Sequence, residues 1–240
     1  MKVEGRNSVY ELLKTDKEID KILVASDLKD EASKRLINVI RSHRIKIQTV
    51  DGRVLDKESE SKRHQGFIAF VSDYEYFDVS DIIKATNDKD GFVLVLSEIT
   101  DPHNLGSIIR VAECAGIDGV IIGKDRCAQV NDTVMRVSEG ALNHVKVARV
   151  VNINGAIDEL KDNGFWVYGA EVGGQDVYKT DLKGKICIVI GGEDSGIKRL
   201  TKDKCDAIIS IPMFGKVNSL NASVACAVCV YEAVRQRKEG

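Results

Sequence analysis

The sequence predicts an α/β protein: a mostly parallel sheet with helices on both sides, preceded by a small α/β domain of different texture. Three observations carry this reading. From Gly91 onward, short apolar strands alternate with helical stretches, the pattern of a parallel sheet built from βα units. Phe92-Val-Leu-Val-Leu is apolar at every position, as a strand covered on both faces must be. Finally, 240 residues with 43% hydrophobic and 30% charged content form an ordinary globular composition. Such a chain can bury roughly 70–75% of its unfolded surface, enough for one large domain or one medium and one small.

The elements follow in order. In the first part a helical stretch over Asn7–Lys14 leads into a short strand, Lys21–Ala25. A second helix over Asp30–His43 carries Leu36, Ile37, Val39 and Ile40, and Ile45–Val50 follows as a strand with alternating faces. Gly66–Val71 closes this unit. Residues 72–90 are polar and acidic and read as a linker with one helical turn, which sets the domains at 1–75 and 90–240 around a linker at 76–89. After Phe92–Leu96 comes a helix with Leu105, Ile108, Ile109, Ala112 and Ala115 on one face, ended by Gly116. Gly119–Gly123, a polar helix around Asn131–Glu139, Val145–Val151 and a helix over Asn154–Asn163 continue the alternation. Phe165–Ala170, Ile186–Ile190 and Ala207–Ile211 are further strands, and a last helix runs from about Leu220 to Lys238. Within it, Val224–Tyr231 is apolar almost all round, which predicts burial in the core or in a subunit interface.

Composition excludes several classes. Thirty-five basic against 37 acidic residues give a net charge of −2, which fits neither a strongly basic nucleic-acid wrapper nor an acidic disordered chain. Locally, Ser33–His64 holds nine basic and four acidic residues, +5. A solvated face and a patch for a nucleic-acid backbone both fit that excess. No apolar run approaches the ~18–20 residues needed to cross a bilayer, and Met1-Lys2-Val3-Glu4-Gly5 starts no signal peptide, so a cytosolic protein is expected. Cys114, Cys127, Cys187, Cys205, Cys226 and Cys229 lie scattered in apolar or helical contexts. Cys226-x-x-Cys229 has no second CxxC or HxxxH to complete a zinc site, so buried thiols are expected and no metal.

Three loops at strand ends carry residues that core packing does not require, and ligands of open α/β sheets sit at such ends. In Asp101–Arg110, Pro102 stops the strand, Asn104 can cap the helix and Gly106 permits close backbone approach. Arg110 stands inside an otherwise apolar helix, where its charge needs a partner or solvent and its planar fork suits phosphate. His103 reads as a loop hydrogen-bonder. In Ile190–Gly196, Gly191-x-x-x-x-Gly196-Ile-Lys198 half resembles a nucleotide-binding loop. Its lysine is displaced, no Ser or Thr follows it, and Glu193 and Asp194 would repel phosphate. In Ile211–Asn221, Ser219 can cap the last helix, with Asn221 facing its first turn.

Taken together, Asn104-x-Gly106-x-x-x-Arg110, Gly191-Gly-Glu193-x-x-Gly196 and Ile211-Pro-Met213-x-Gly215-x-x-x-Ser219-Leu-Asn221-x-Ser223-x-Ala225 resemble the three signature motifs of the SpoU–TrmH family. These are SPOUT-class RNA ribose 2′-O-methyltransferases, and the resemblance covers about residues 90–240. Ser107 and Ala222 stand where Ala and Val are more usual. The amino-terminal part, with Glu4-Gly-Arg-Asn-Ser-Val-Tyr-Glu-Leu-Leu and His64-Gln-Gly, resembles the small ribosomal-protein-like RNA-binding domain of the bacterial 23S rRNA guanosine methyltransferases.

The resemblance implies a trefoil knot formed by the last strands and helix, with S-adenosylmethionine bound in it against Gly191, Ile211, Met213 and Leu220. It implies a homodimer through the carboxy-terminal domain and 23S rRNA as substrate, with tRNA, or a non-catalytic RNA-binding assembly factor of the same fold, as alternatives. Asn104, Arg110, Glu193, Ser219 and Asn221 are the implied catalytic set. A guanidinium is a poor base, so Arg110 is expected to anchor phosphate and stabilise the developing alkoxide. Asn104, Ser219 and Asn221 would orient the ribose and Arg110, and Glu193 would brace its loop.

Overall fold

A computed structural model describes residues 1–15, 17, 19–43, 45–71, 74–192 and 196–238. The chain forms two compact units, Met1–Glu75 and Tyr76–Gly240.

The first unit is a four-stranded sheet with three helices: β1 (Lys2–Glu4), α1 (Arg6–Leu12), β2 (Ile19–Ala25), α2 (Glu31–Ser42), β3 (Ile47–Val50), α3 (Gly52–Glu58) and β4 (Phe67–Val71). The spatial order is β1-β4-β2-β3, with β3 parallel to β2 and β4 antiparallel to both β2 and β1. Side chains alternate across a strand, so β2 feeds two cores. Ile22 and Val24 pack with Val9, Leu12, Leu36 and Ile40; Leu23 and Ala25 pack with Leu55 and Ile68. Asp30 caps α2 by accepting from the Ser33 N–H at 3.0 Å. The sequence reading missed β1, which is too short to show periodicity, and α3, which buries only Leu55. Of the basic excess, Lys34 and Arg53 pair with Glu31 and Asp51, whereas Lys62 and Arg63 are exposed.

The second unit is built on a six-stranded sheet in the order β10-β8-β9-β5-β6-β7, parallel at every pairing. Its strands are β5 (Phe92–Ser97), β6 (Gly119–Gly123), β7 (Val147–Val150), β8 (Trp166–Asp176), β9 (Ile186–Gly191) and β10 (Ala207–Ser210). Its helices are α4 (Val79–Lys84), α5 (Pro102–Cys114), α6 (Asp132–Val137), α7 (Ile153–Asp162), α8 (Arg199–Lys202) and α9 (Ala222–Lys238). The central β5 is buried at every residue, as its unbroken apolar run requires.

One expectation is corrected here. Residues 76–89 are not a linker: Tyr76 begins the second unit. Val79, Ile82 and Ile83, at i, i+3 and i+4, bury one face of α4 in its core. Ile82 lies so near Gly119 that a Cβ there would stand 2.5 Å from its Cδ1. The acidic neighbours Asp78 and Asp81 hid that stripe. Within one chain α9 is covered on one side: Cys226, Cys229, Val230 and Ala233 are buried, whereas Val224 and Tyr231 are each 49% exposed. Strand β8 also runs six residues beyond the expected Ala170, through the polar Glu171–Asp176. Pairing of Gln175 and Asp176 with Ile209 and Ser210 holds its outer end. No helix among the described residues is long and apolar enough to cross a membrane.

Candidate active site at the carboxyl ends of the central strands

A cavity of about 360 Å3 opens where β9 and β10 end. Its floor is apolar: Ile190 from β9, Ile209 from β10, and Ala225 and Cys229 from α9. Gly191, Ile211, Met213 and Leu220, the four residues expected at a cofactor, all line it, and Ser219 lies beside them. Glycine is required in the wall. A Cβ on Gly191 would stand 2.4 Å from the Gly196 carbonyl carbon, and one on Gly192 would stand 2.4 Å from the Glu98 oxygen. Gly196 itself adopts φ +60, the left-handed region that glycine enters freely. The Gly196 N–H donates to the Gly192 carbonyl at 3.0 Å and closes the turn. Glu193 lies outside the described residues.

The structure joins two of the expected catalytic residues directly. Asn104 is buried inside the first turn of α5, and its Oδ1 accepts from Asn221 Nδ2 at 3.0 Å. Both cap assignments therefore change. Asp101 caps α5 by accepting from the His103 N–H at 2.9 Å, with Pro102 in the first turn. Asn221 caps α9, its Oδ1 accepting from the Ser223 N–H at 2.9 Å and from Ser223 Oγ at 2.7 Å. Ser219 precedes the cap position by two residues, so it does not fill that role. His103 is exposed on α5 rather than in a loop. Gly106 has the predicted close approach, for a Cβ would meet Val137 Cβ at 2.8 Å.

Arg110 lies nearly two helical turns beyond Asn104. Its side chain is 52% exposed and pairs with Glu139 Oε1 at 3.0 Å, so its described partner is that carboxylate rather than Asn104, Ser219 or Asn221. Glu139, at φ +47, was not singled out in the sequence, and nothing in its context marks it. Glu171 was missed as well. It lines the cavity from β8, with Oε1 bound by Lys202 Nζ at 2.6 Å and Oε2 buried without a donor. Cys226 and Cys229 are neutral thiols, since burial pushes Cys229 up to about 12 and Cys226 still higher. No group of His, Cys, Asp and Glu among the described residues could hold a metal.

A parallel sheet with an apolar, glycine-walled cavity at its strand ends is the arrangement in which open α/β domains hold small molecules. Comparison with known proteins gives the class its family. Residues 91–231 match the SpoU rRNA Methylase family, and residues 2–77 match a family described as RNA 2′-O ribose methyltransferase substrate binding. The chain is 43% identical over 240 residues to a Staphylococcus aureus (strain COL) protein assigned to the TrmH family of tRNA/rRNA methyltransferases, covering 99% of this chain and 96% of that one. A solved SpoU methyltransferase, AviRb from Streptomyces viridochromogenes in complex with AdoMet, is 25% identical, with a TM-score of 0.65 over 100% of this chain and 91% of that one. An AdoMet-bound rRNA methyltransferase from Sinorhizobium meliloti, 21% identical over 98% of this chain and 86% of that one, shares the fold at a TM-score of 0.60. The chain belongs to the SpoU/TrmH family of RNA 2′-O-ribose methyltransferases.

Proposed function

We propose that this chain transfers a methyl group from S-adenosylmethionine to a ribose 2′-hydroxyl of 23S rRNA. The observation that carries the reading is the Asn104–Asn221 hydrogen bond. It ties the first motif to the third beside a cavity that the second and third motifs line. The cavity suits the cofactor: its volume falls in the range of small-molecule sites, its floor is apolar, and Glu171 Oε2 offers an unused acceptor to a hydroxyl or ammonium donor. Gly191, Ile211, Met213 and Leu220 would hold it. When bound, it supplies an electrophilic methyl on a sulfonium.

The remaining work falls to the chain's own residues. Asn104, Ser219 and Asn221 orient the ribose, so that the hydroxyl is presented in line with the methyl. Arg110 anchors a phosphate and stabilises oxyanion character as the hydroxyl passes its proton to solvent water. Glu139 holds the guanidinium until RNA takes its place.

Two further parts of the reading concern assembly and topology. The half-exposed Val224 and Tyr231, with Phe214 at 98% exposure, support a homodimer through the second unit. A knotted carboxy-terminal segment belongs to the same reading, carried by the family membership of residues 91–231. The first unit, matched by the substrate-binding family, is proposed to dock RNA, which favours an rRNA substrate. A tRNA substrate is the second reading, favoured by the TrmH family's span of tRNA and rRNA methyltransferases. Arg110→Ala should keep cofactor binding and lose turnover. An unchanged single-turnover rate would overturn the role given to Arg110.

A further inference from the structure

A second cavity, about 460 Å3, lies at the carboxyl ends of β5, β6 and β7 and the start of α8. Its lining brings together charges from three separate loops. Glu98, just past β5, accepts through Oε1 from Arg126 Nε at 3.1 Å and from Lys198 Nζ at 2.6 Å. Arg126 comes from the loop after β6 and Lys198 from the stretch before α8. The carboxylate is largely covered, 18% exposed, while Arg126 is 71% and Lys198 43% exposed. Arg199 adds a third exposed cation to the same lining.

The backbone here is unusual. Glu98 at φ +64 and Arg126 at φ +56 both occupy the left-handed region without being glycine, a cost that surrounding packing must offset and that concentrates at functional sites. Large apolar side chains also stand exposed at this cavity, Val151 at 80% and Leu200 at 71%. A largely covered carboxylate, exposed cations and apolar surface together form a cleft in which Glu98 pairs with two cations. A guanidinium has five N–H donors, so one engaged with Glu98 keeps others for an anion.

The cleft adjoins the cofactor cavity. Gly192 packs against the Glu98 carbonyl so closely that a Cβ would stand 2.4 Å away, so the turn that lines one cavity rests on the residue that organises the other.

We propose that this second cavity is an RNA-docking cleft for a nucleotide that flanks the methylated one. Arg126 and Lys198 take its phosphate, Val151 and Leu200 face its base, and Glu98 is the positioning residue for both cations. The inference rests on the RNA-methyltransferase reading above and adds a substrate subsite to it.

The test uses the full chain and a 23S rRNA transcript, with binding followed as a function of KCl concentration. Each phosphate contact contributes about 0.7–1 to the slope of log affinity against log salt. The double variant Arg126→Gln/Lys198→Gln should lower that slope by about 0.7–1, one phosphate contact, and raise the RNA Kd on the order of tenfold. S-adenosylmethionine affinity should stay at the wild-type value, which shows that the second unit is folded. Arg126→Lys in the Lys198 background should keep most of the slope, and Lys183→Ala, on the loop before β9 at the opposite end of the strands, should keep all of it. A double variant with wild-type slope and Kd overturns the cleft while leaving the methyltransferase reading intact. A wild-type chain that neither binds nor methylates rRNA or tRNA overturns that reading, and the cleft with it.

Discussion

Asn221 performs two separable tasks, and removing it should cost both. Its Oδ1 caps α9 through the Ser223 N–H, and its Nδ2 donates to the buried Asn104. Loss of an N-cap costs about 1 kcal/mol, and stripping a buried acceptor of its donor costs about 1–3 kcal/mol. Asn221→Ala should therefore destabilise the second unit by about 2–4 kcal/mol, a fall in Tm of roughly 4–16 °C at about 2–4 °C per kcal/mol for a unit of this size. Asn221→Ser keeps a capping oxygen but is too short to reach Asn104, so it should recover about 1 kcal/mol and no more. Both variants should lose methyl transfer equally, because both lack the bridging amide. Thermal unfolding by circular dichroism and single-turnover methylation read the two tasks independently. A serine variant no more stable than the alanine variant would refute the cap, and one with full methyl transfer would refute the bridge.

Gly191→Ala places a Cβ 2.4 Å from Gly196 and 2.6 Å from the Ile197 nitrogen. Overpacking of about 1–3 kcal/mol in the cavity wall should weaken S-adenosylmethionine binding about tenfold or more, read by calorimetry. Burial raises the Asp20 carboxyl to about 6 from an unfolded value near 3.8. Between those values the folded chain binds the extra proton, so stability falls as pH rises from about 4 to about 6. Asp20→Asn should flatten that fall, and urea unfolding midpoints at pH 4, 5, 6 and 7 that decline as steeply in the variant would contradict the assignment. Cys226 and Cys229, buried with raised thiols, should resist alkylation at pH 8 in the native chain while exposed Cys114 reacts, as mass mapping would report.

Strong periodicity and unbroken apolar runs were legible: Phe92–Leu96 and Ile186–Ile190 read as central strands because both faces are covered. Leu36 and Ile40 likewise mark the buried face of α2. The three loops were legible as site candidates because they place polar residues and glycines, which an apolar core does not call for, at strand ends, and the second and third supply the cavity's lining. What local reading could not reach depends on distant contacts. Asn104 meets Asn221 across 117 positions, and both Ser219 and Asn221 are good cap residues, so only the packing that starts α9 at Ala222 decides between them. The polar Glu171–Asp176 becomes strand because β10 pairs with it, and Arg110 meets Glu139 because α5 packs on α6. Glu98 gave no sequence signal at all, since its two partners lie on loops 28 and 100 positions away.

Transfer of labelled methyl from S-adenosylmethionine decides whether a ribose 2′-hydroxyl of 23S rRNA is the acceptor. Unmodified 23S rRNA and tRNA are offered side by side to the wild-type chain and the modified nucleotide is mapped. Label is expected at a ribose 2′-oxygen of 23S rRNA, and none with Arg110→Ala. Label confined to tRNA would overturn the substrate assigned here, and label on a base rather than a ribose would contradict the chemistry derived from Asn104, Arg110 and Asn221.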